Sequence, residues 1–203
     1  MTIIGDEPAG ATPLNPNEIE GLKFKHITTR DELNELEQAN VESGLLWLGR
    51  RRKTDILTEQ FMLDLHRRLF GDVWEWAGQF RKTGKNIGVD PHEIQAQLRM
   101  LLDDARYWAA HDSYAPLEAS ARFHHRLTKI HPFPNGNGRH ARIAADTYIS
   151  DIFGHAPIDW AADHDLQHDS ERRSTYIAAL KAADAGDYKP LLAFAGVQLQ
   201  GKQ

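Results

Sequence analysis

His131-Pro132-Phe133-Pro134-Asn135-Gly136-Asn137-Gly138-Arg139-His140-Ala141-Arg142 joins two helical patterns through a segment that cannot itself be helical. Upstream, Leu117, Ala121, Leu127 and Ile130 recur at helical spacing after Pro116. Pro132 disfavours helical geometry in the residue before it, so this helix stops around His131. Downstream, Ala141, Ala144, Ala145, Tyr148, Ile149 and Ile152 define a second amphipathic helix, closed by Gly154. The join is therefore a glycine-containing loop opening onto a helix N-terminus, where unpaired N–H groups and the positive dipole end suit an anion. Arg139 and Arg142 lie three residues apart on the new helix, so both can face one side and grip phosphate oxygens. The imidazole of His131 ordinarily titrates near ~6.5 and can take a proton from an attacking hydroxyl at neutral pH. Taken singly, the same residues also fit an ordinary Gly/Asn/Pro turn with a satisfied histidine and two surface arginines. Their combination favours a polyphosphate site.

The pattern extends outward as helices. Thr58 is a cap flanked by Leu57 and Met62 in the positions of a hydrophobic staple, and Phe61, Met62, Leu65 and Leu69 form one stripe, predicting a helix over 58–70. Asp90-Pro91-His92-Glu93 starts another, continued by Ile94, Leu98, Leu101, Leu102, Ala105 and Trp108. One helix or two short ones are expected from Thr29 to Trp47, and two more near 170–185 and 190–199. The first twenty or so residues, rich in Pro, Gly, Asn and Asp, read as an extended arm that could wrap the domain. Lys82-Thr83-Gly84-Lys85-Asn86-Ile87-Gly88-Val89 has two glycines and no helical period and is expected as a short hairpin. The fold class is all-α, a helical bundle with one small β-hairpin. The expected organisation is an N-terminal arm and helical extension over 1–55 and a main domain over 56–200.

Bulk properties narrow the function. The chain has 203 residues, no cysteine and a net charge of −5. Disulfides, thiolate metal sites and a cysteine nucleophile are excluded. A nucleic-acid binder would carry a basic excess on one face, and here the basic residues are spread out apart from Arg50 to Lys53, a solvated turn or helix end. No apolar run is long enough to cross a bilayer, and the N-terminal residues lack a signal peptide's basic cluster and apolar core, so a cytoplasmic location is expected. His124, His125, His164 and His168 have no ligand spacing and read as surface or core histidines.

The loop residues resemble, position by position, the Fic motif H-P-F-x-D/E-G-N-G-R-x-x-R, departing only where Asn135 stands for the acidic residue. Leu65-His66-Arg67-Arg68-Leu69-Phe70 and Trp76-Ala77-Gly78-Gln79-Phe80-Arg81 are also similar to the Fic core, and the resemblance covers about 57–195. The Asn variant, residues 28–40 and Ala185-Gly186-Asp187-Tyr188 further resemble a bacterial subgroup called mobile mystery protein B, which is associated with a helix-turn-helix companion.

The resemblance implies a protein adenylyltransferase that moves AMP from ATP to a Ser, Thr or Tyr hydroxyl of a target protein. It makes His131 the general base and Phe133 a core anchor. Gly136 and Gly138 would let the backbone approach the phosphates, Asn137 would fix the α-phosphate, and Arg139 and Arg142 would hold the outer phosphates. It makes residues 82–89 a target-docking flap, against the simpler reading of a connector. The usual acidic residue helps hold Mg²⁺, so Asn135 is a candidate for weakened metal binding, or a residue chosen by the turn. Relatives with variant motifs transfer phosphate or phosphocholine, or remove AMP, and a binding module that kept the fold without the chemistry is a further alternative. Many Fic proteins carry an inhibitory S/T-x-x-x-E-G/N motif whose Glu pairs with the second arginine. Thr28 to Glu32 has its spacing, with Leu33 where Gly or Asn is expected, which makes Glu32 the candidate inhibitory residue, a separate inhibitory partner being the alternative.

Overall fold

The computed structural model describes residues 12–160, Leu166 and residues 170–196. These form α1 (Pro16–Ile19), α2 (Arg30–Arg50), α3 (Glu59–Phe70), α4 (Ile94–Ala110), α5 (Pro116–Ile130), α6 (Asn137–Phe153), α7 (Glu171–Asp184) and α8 (Lys189–Phe194). Local chemistry sets most of the ends. The Thr58 hydroxyl accepts the Phe61 N–H at 3.1 Å, and Leu57 and Met62 are both buried beside it, so cap and staple fix the entry to α3. A cap of this kind is worth about 1 kcal/mol. Thr29 and Glu32 form a reciprocal capping box, and α2 then runs as one helix. Asp90 accepts the His92 N–H at 2.9 Å but begins a 3-10 turn, Pro91–Glu93, from which α4 continues. Ser170 caps α7, and Gly154, at φ +68°, closes α6.

Helix α3 sits at the centre, with Met62, Leu65 and Leu69 wholly buried. Helix α2 packs against it, α4 and α6 also touch it, and α4, α5 and α6 pack in sequence. Asn40 fastens α2 to the end of α3: its Nδ2 donates to the Arg68 carbonyl at 3.1 Å and its Oδ1 accepts the Asp72 N–H at 2.8 Å. The helices touch closely here, since a Cβ on Gly44 would come within 2.8 Å of the Arg68 carbonyl oxygen. Leu33 and Val41 of α2 belong to the same core as α3, so the helical extension and the main domain share one interior.

Helices α7 and α8 pair beyond α5, where His124 bonds the Tyr176 hydroxyl at 2.8 Å and His125 meets the Tyr188 hydroxyl at 2.9 Å and Asp184 at 3.1 Å. The adjacent histidines are thus core fasteners; His164 and His168 lie outside the described residues. Arg50 ends α2, and Arg51 is paired with Asp151 of α6 while Arg52 and Lys53 are exposed. Among the described residues no helix is long and apolar enough to cross a membrane.

Two features differ from, or extend, the sequence expectations. From residue 12 onward the described part of the arm lies against the domain: α1 packs beside Trp76, whose Nε1 donates to the Glu18 carbonyl at 2.9 Å, and Leu22 makes an isolated antiparallel bridge to Trp74. Residues 82–89, expected as a hairpin, form an extended loop with no strand. The cause is Arg81. Its guanidinium donates to the Thr83 carbonyl at 2.9 Å and the Val89 carbonyl at 2.5 Å, so one planar side chain satisfies the two sides of the loop where a hairpin would use cross-strand bonds.

Candidate active site

Helix α5 ends at His131, which adopts the left-handed conformation at φ +54° and ψ +61° while its N–H bonds the Leu127 carbonyl at 3.2 Å. A non-glycine residue held there stores about 1–3 kcal/mol of strain and needs its surroundings to hold it. Arg81 does so: its Nε donates to the His131 carbonyl at 2.6 Å, and its backbone N–H bonds the Pro132 carbonyl at 2.9 Å. Phe133 plugs the loop into the core, stacked on His66 at 3.7 Å between ring centres and edge-on to His140. Asn137 braces it from the other side, Oδ1 accepting the Phe133 N–H at 2.9 Å and Nδ2 donating to the Phe133 carbonyl at 2.8 Å. Gly136, at φ +75°, lies against Phe70, whose ring a Cβ would approach to 2.6 Å. A side chain there is excluded by conformation and by space.

The loop delivers the N-terminus of α6 beside His131. His140 N–H bonds the Gly136 carbonyl at 3.0 Å as the first helical bond, so the N–H groups of Asn137, Gly138 and Arg139 precede it and remain for an anion. Arg139 is ion-paired with Glu37 of α2 and lies 4.7 Å over the Phe70 ring, with its Nη1 buried and without a partner. The other Glu37 oxygen accepts Trp74 Nε1 at 2.7 Å. Arg142, one turn further, sits 5.6 Å from the Tyr176 ring centre.

His131 is buried, with Nε2 at 3.0 Å from the Thr12 hydroxyl. Burial pushes its pKa down to about 4, helped by the positive charges of Arg81 and Lys85 and opposed by the nearby Thr128 carbonyl, although no hydrogen bond of ordinary geometry reaches Nδ1. The imidazole is neutral at pH 7, the state a general base requires.

This arrangement, a neutral histidine at a helix end followed by a helix start that carries two arginines, lies within the stretch that matches a known family. Residues 56–149 match the model of the Fic/DOC family. The chain carries a Fic/DOC family domain. Over 168 residues, 81% of this chain and 32% of the relative, it is 29% identical to the protein adenylyltransferase Fic of Culex quinquefasciatus. It is 30% identical over the same length to that of Drosophila melanogaster. The chain spans about a third of the length of these relatives. Among solved structures, residues 134–508 of Fic-1 from C. elegans match with a TM-score of 0.60 at 26% identity, over 87% of this chain and 50% of that one. BepC of Bartonella tribocorum, solved with bound AMPPNP, matches in fold with a TM-score of 0.69 at 18% identity, over 93% of this chain and 100% of that one.

Several of the expected site residues have side chains engaged within the protein. Both side-chain atoms of Asn137, expected on the α-phosphate, are committed to the Phe133 backbone, and what residue 137 leaves for an anion is its N–H. Asn135 turns its Oδ1 to the Gly136 N–H at 2.6 Å, the use expected of a turn residue. Among the described residues no three His, Asp or Glu side chains converge as a metal site. With one neutral oxygen already engaged, the side chains here do not fit a protein-held Mg²⁺.

Glu32 is not at the site. It is exposed and binds the N–H groups of Thr28 and Thr29 at 3.2 and 3.0 Å, which lower its pKa and serve the start of α2. The acid that reaches the motif is Glu37, and it takes the first arginine, Arg139, where the family pattern implies the second. The loop of residues 82–89 does border the base: a Cβ on Gly88, at φ +104°, would come within 2.7 Å of both Arg81 Nη2 and the His131 Cβ. Sequence reasoning missed Glu37, the role of Arg81, and Thr12. For Glu37 a signal existed, since it falls with Leu33, Asn40, Val41 and Gly44 on the buried face of α2.

Proposed function

We propose that this domain transfers AMP from ATP to a Ser, Thr or Tyr hydroxyl of a protein. The observation that carries the reading is the junction of α5 and α6, where a neutral, buried His131 leads through the loop to a helix N-terminus whose first turns carry two arginines. His131 Nε2 would take the proton of the acceptor hydroxyl as its oxygen attacks the α-phosphate. The N–H groups of Asn137, Gly138 and Arg139 would receive the phosphate oxygens, and Arg139 and Arg142 would offset charge on the departing pyrophosphate. Phe133 and the Asn137 side chain hold this loop in shape. The activity named for the curated relatives, protein adenylyltransferase, supports the same transfer.

Residues Lys82 to Val89 would dock an extended segment of the target, since they edge the base and are anchored by Arg81. ATP is the co-substrate. Mg²⁺ would be held by phosphate oxygens, with Asn135 offering at most a neutral carbonyl. The reading extends to the mobile mystery protein B subgroup, a cytoplasmic setting and a helix-turn-helix companion, supported by the Asn135 variant and the stretches at 28–40 and 185–188.

The test is the position of the label. Incubated in a lysate, the protein should place label from α-labelled ATP on protein. Label entering protein only from γ-labelled ATP would overturn the reading in favour of phosphoryl transfer.

A further inference from the structure

The base of the site already faces a hydroxyl of its own chain. Thr12 Oγ1 lies 3.0 Å from His131 Nε2, buried, across 119 residues of sequence. Thr12 is 7% exposed, and its carbonyl lies 3.5 Å from Asn135 Nδ2, so residue 12 sits between the imidazole and the loop that leads into α6. This is the place an acceptor hydroxyl must occupy, within reach of the base and next to the anion-accepting helix end.

The contact is not an isolated one, because the arm that carries Thr12 is clamped along the loop of residues 82–89. Lys85 Nζ donates to the Pro13 carbonyl at 2.8 Å and is ion-paired with Glu18. Asn15 Nδ2 donates to the Thr83 hydroxyl at 3.0 Å, and that hydroxyl donates to Glu18 Oε1 at 3.1 Å. Glu18 is itself held from below through its carbonyl by Trp76. The Lys85 side chain is 2% exposed, so its charge is desolvated and committed to the arm. Polar contacts on residues 13, 15 and 18 thus fix the register that sets residue 12 on the imidazole. Of that segment it is Thr12 whose side chain is hydrogen-bonded to His131.

We propose that Thr12 is an acceptor in cis, a self-modification site at which the domain transfers AMP to its own N-terminal arm. The proposal rests on the adenylyl-transfer reading above. In the step, the Thr12 Oγ–H proton passes to His131 Nε2, Oγ forms a bond to the α-phosphorus of ATP, the bond from that phosphorus to the bridging oxygen of the β-phosphate breaks, and pyrophosphate leaves with the electron pair. The proton is then released from His131 to solvent. The neutral state of His131 at pH 7 leaves its ring able to accept that proton.

The experiment incubates the purified full chain alone with α-labelled ATP, maps the label by mass spectrometry, and follows its rate at protein concentrations spanning a hundredfold. The set comprises the wild type, Thr12→Val, Thr12→Ser, His131→Ala and Glu37→Gln, the last because it frees Arg139 for nucleotide. Expected are one AMP on Thr12, a first-order rate independent of protein concentration, loss of at least tenfold in Thr12→Val and in His131→Ala, and retention in Thr12→Ser. Val matches Thr in shape, so arm docking is kept while the acceptor is removed. Self-label at the wild-type rate in Thr12→Val, or a rate proportional to protein concentration, would overturn the proposal. A parallel lysate separates the two readings. His131-dependent label on other proteins with none on Thr12, in both the wild type and Glu37→Gln, sinks the cis acceptor alone, whereas no His131-dependent label anywhere sinks both.

Discussion

Glu37 on α2 holds Arg139 on α6, joining through one ion pair the helix before the Fic domain and a guanidinium carried by the first turn of α6. The pair is desolvated, with side chains 5% and 13% exposed, and Trp74 fixes the carboxylate from behind. Phosphate and Glu37 would compete for the same cation, and Arg139 keeps one buried, unpartnered nitrogen in reserve. Glu37→Gln should therefore act with opposite signs in two measurements. Without nucleotide it leaves a buried charge uncompensated and should lower stability by about 3 kcal/mol in urea unfolding. ATP affinity measured by calorimetry should rise about tenfold, or ~1.4 kcal/mol. Unchanged or weaker ATP binding in the variant would show that the pair does not guard the site.

Arg81 is the hub of the base's surroundings, bonding the carbonyls of His131, Thr83 and Val89. Arg81→Ala would leave buried carbonyls without donors and release the left-handed turn. A loss of about 3 kcal/mol is expected from urea titration, since hydrogen bonds to charged groups are worth ~1.5–3 kcal/mol each and some strain is relieved. Arg81→Lys keeps the charge but not the planar fork and should recover less than half of the loss. A cost below about 1 kcal/mol for Arg81→Ala would show that the loop is held otherwise.

The parts of this fold that were legible in sequence are those set by neighbours along the chain. Thr58, Ser170 and Gly154 bound their helices as local capping chemistry requires, and Pro132 stops α5 at His131. The turn between His131 and the start of α6 was legible because Pro132 before it and the helical spacing after it act locally. What was missed acts across the chain. Glu37 meets Arg139 over 102 residues and Thr12 meets His131 over 119, distances at which spacing carries no information. The loop at 82–89 was read as a hairpin because nothing near it in sequence shows that the Arg81 side chain, rather than a partner strand, would take its carbonyls.

Acid should unfold the protein through its buried histidines. His131 and His140 are pushed down to about 4 and His124 to about 3, and His66 well below the ordinary imidazole value, each chiefly by burial. These groups are neutral in the fold and bind protons more readily when unfolded, so their contribution is present above pH ~6.5 and is lost as pH falls toward 4. Asp146, raised by burial to about 6, works the opposite way, gaining a proton on folding between its unfolded value and pH 6. His125 is lowered by burial as well, so five histidines against one carboxyl leave a net loss, up to ~1.4 kcal/mol per pH unit for each uncompensated site. Urea midpoints should fall steadily from pH 6.5 to pH 4.5; a flat or rising profile would contradict this assignment of neutral histidines.

Asn135→Asp would place an anionic oxygen at the mouth of α6 while one oxygen still accepts the Gly136 N–H. A carboxylate is a better ligand for a hard cation than an amide carbonyl. The Mg²⁺ concentration for half-maximal transfer should fall several-fold, with the rate at saturating metal little changed. An unchanged metal titration with transfer intact would assign Asn135 to the turn alone.

The central claim is that His131 removes the acceptor's proton at the start of α6. It is tested most directly by comparing His131→Ala with the wild type for transfer of label from α-labelled ATP to protein, alongside ATP affinity by calorimetry on the same samples. Transfer should fall by at least ~10²-fold, the usual contribution of a positioned general base, while the ATP dissociation constant stays within a few-fold, because the anion-accepting N–H groups and both arginines remain. Transfer within tenfold of the wild type, with ATP still bound, would contradict the account.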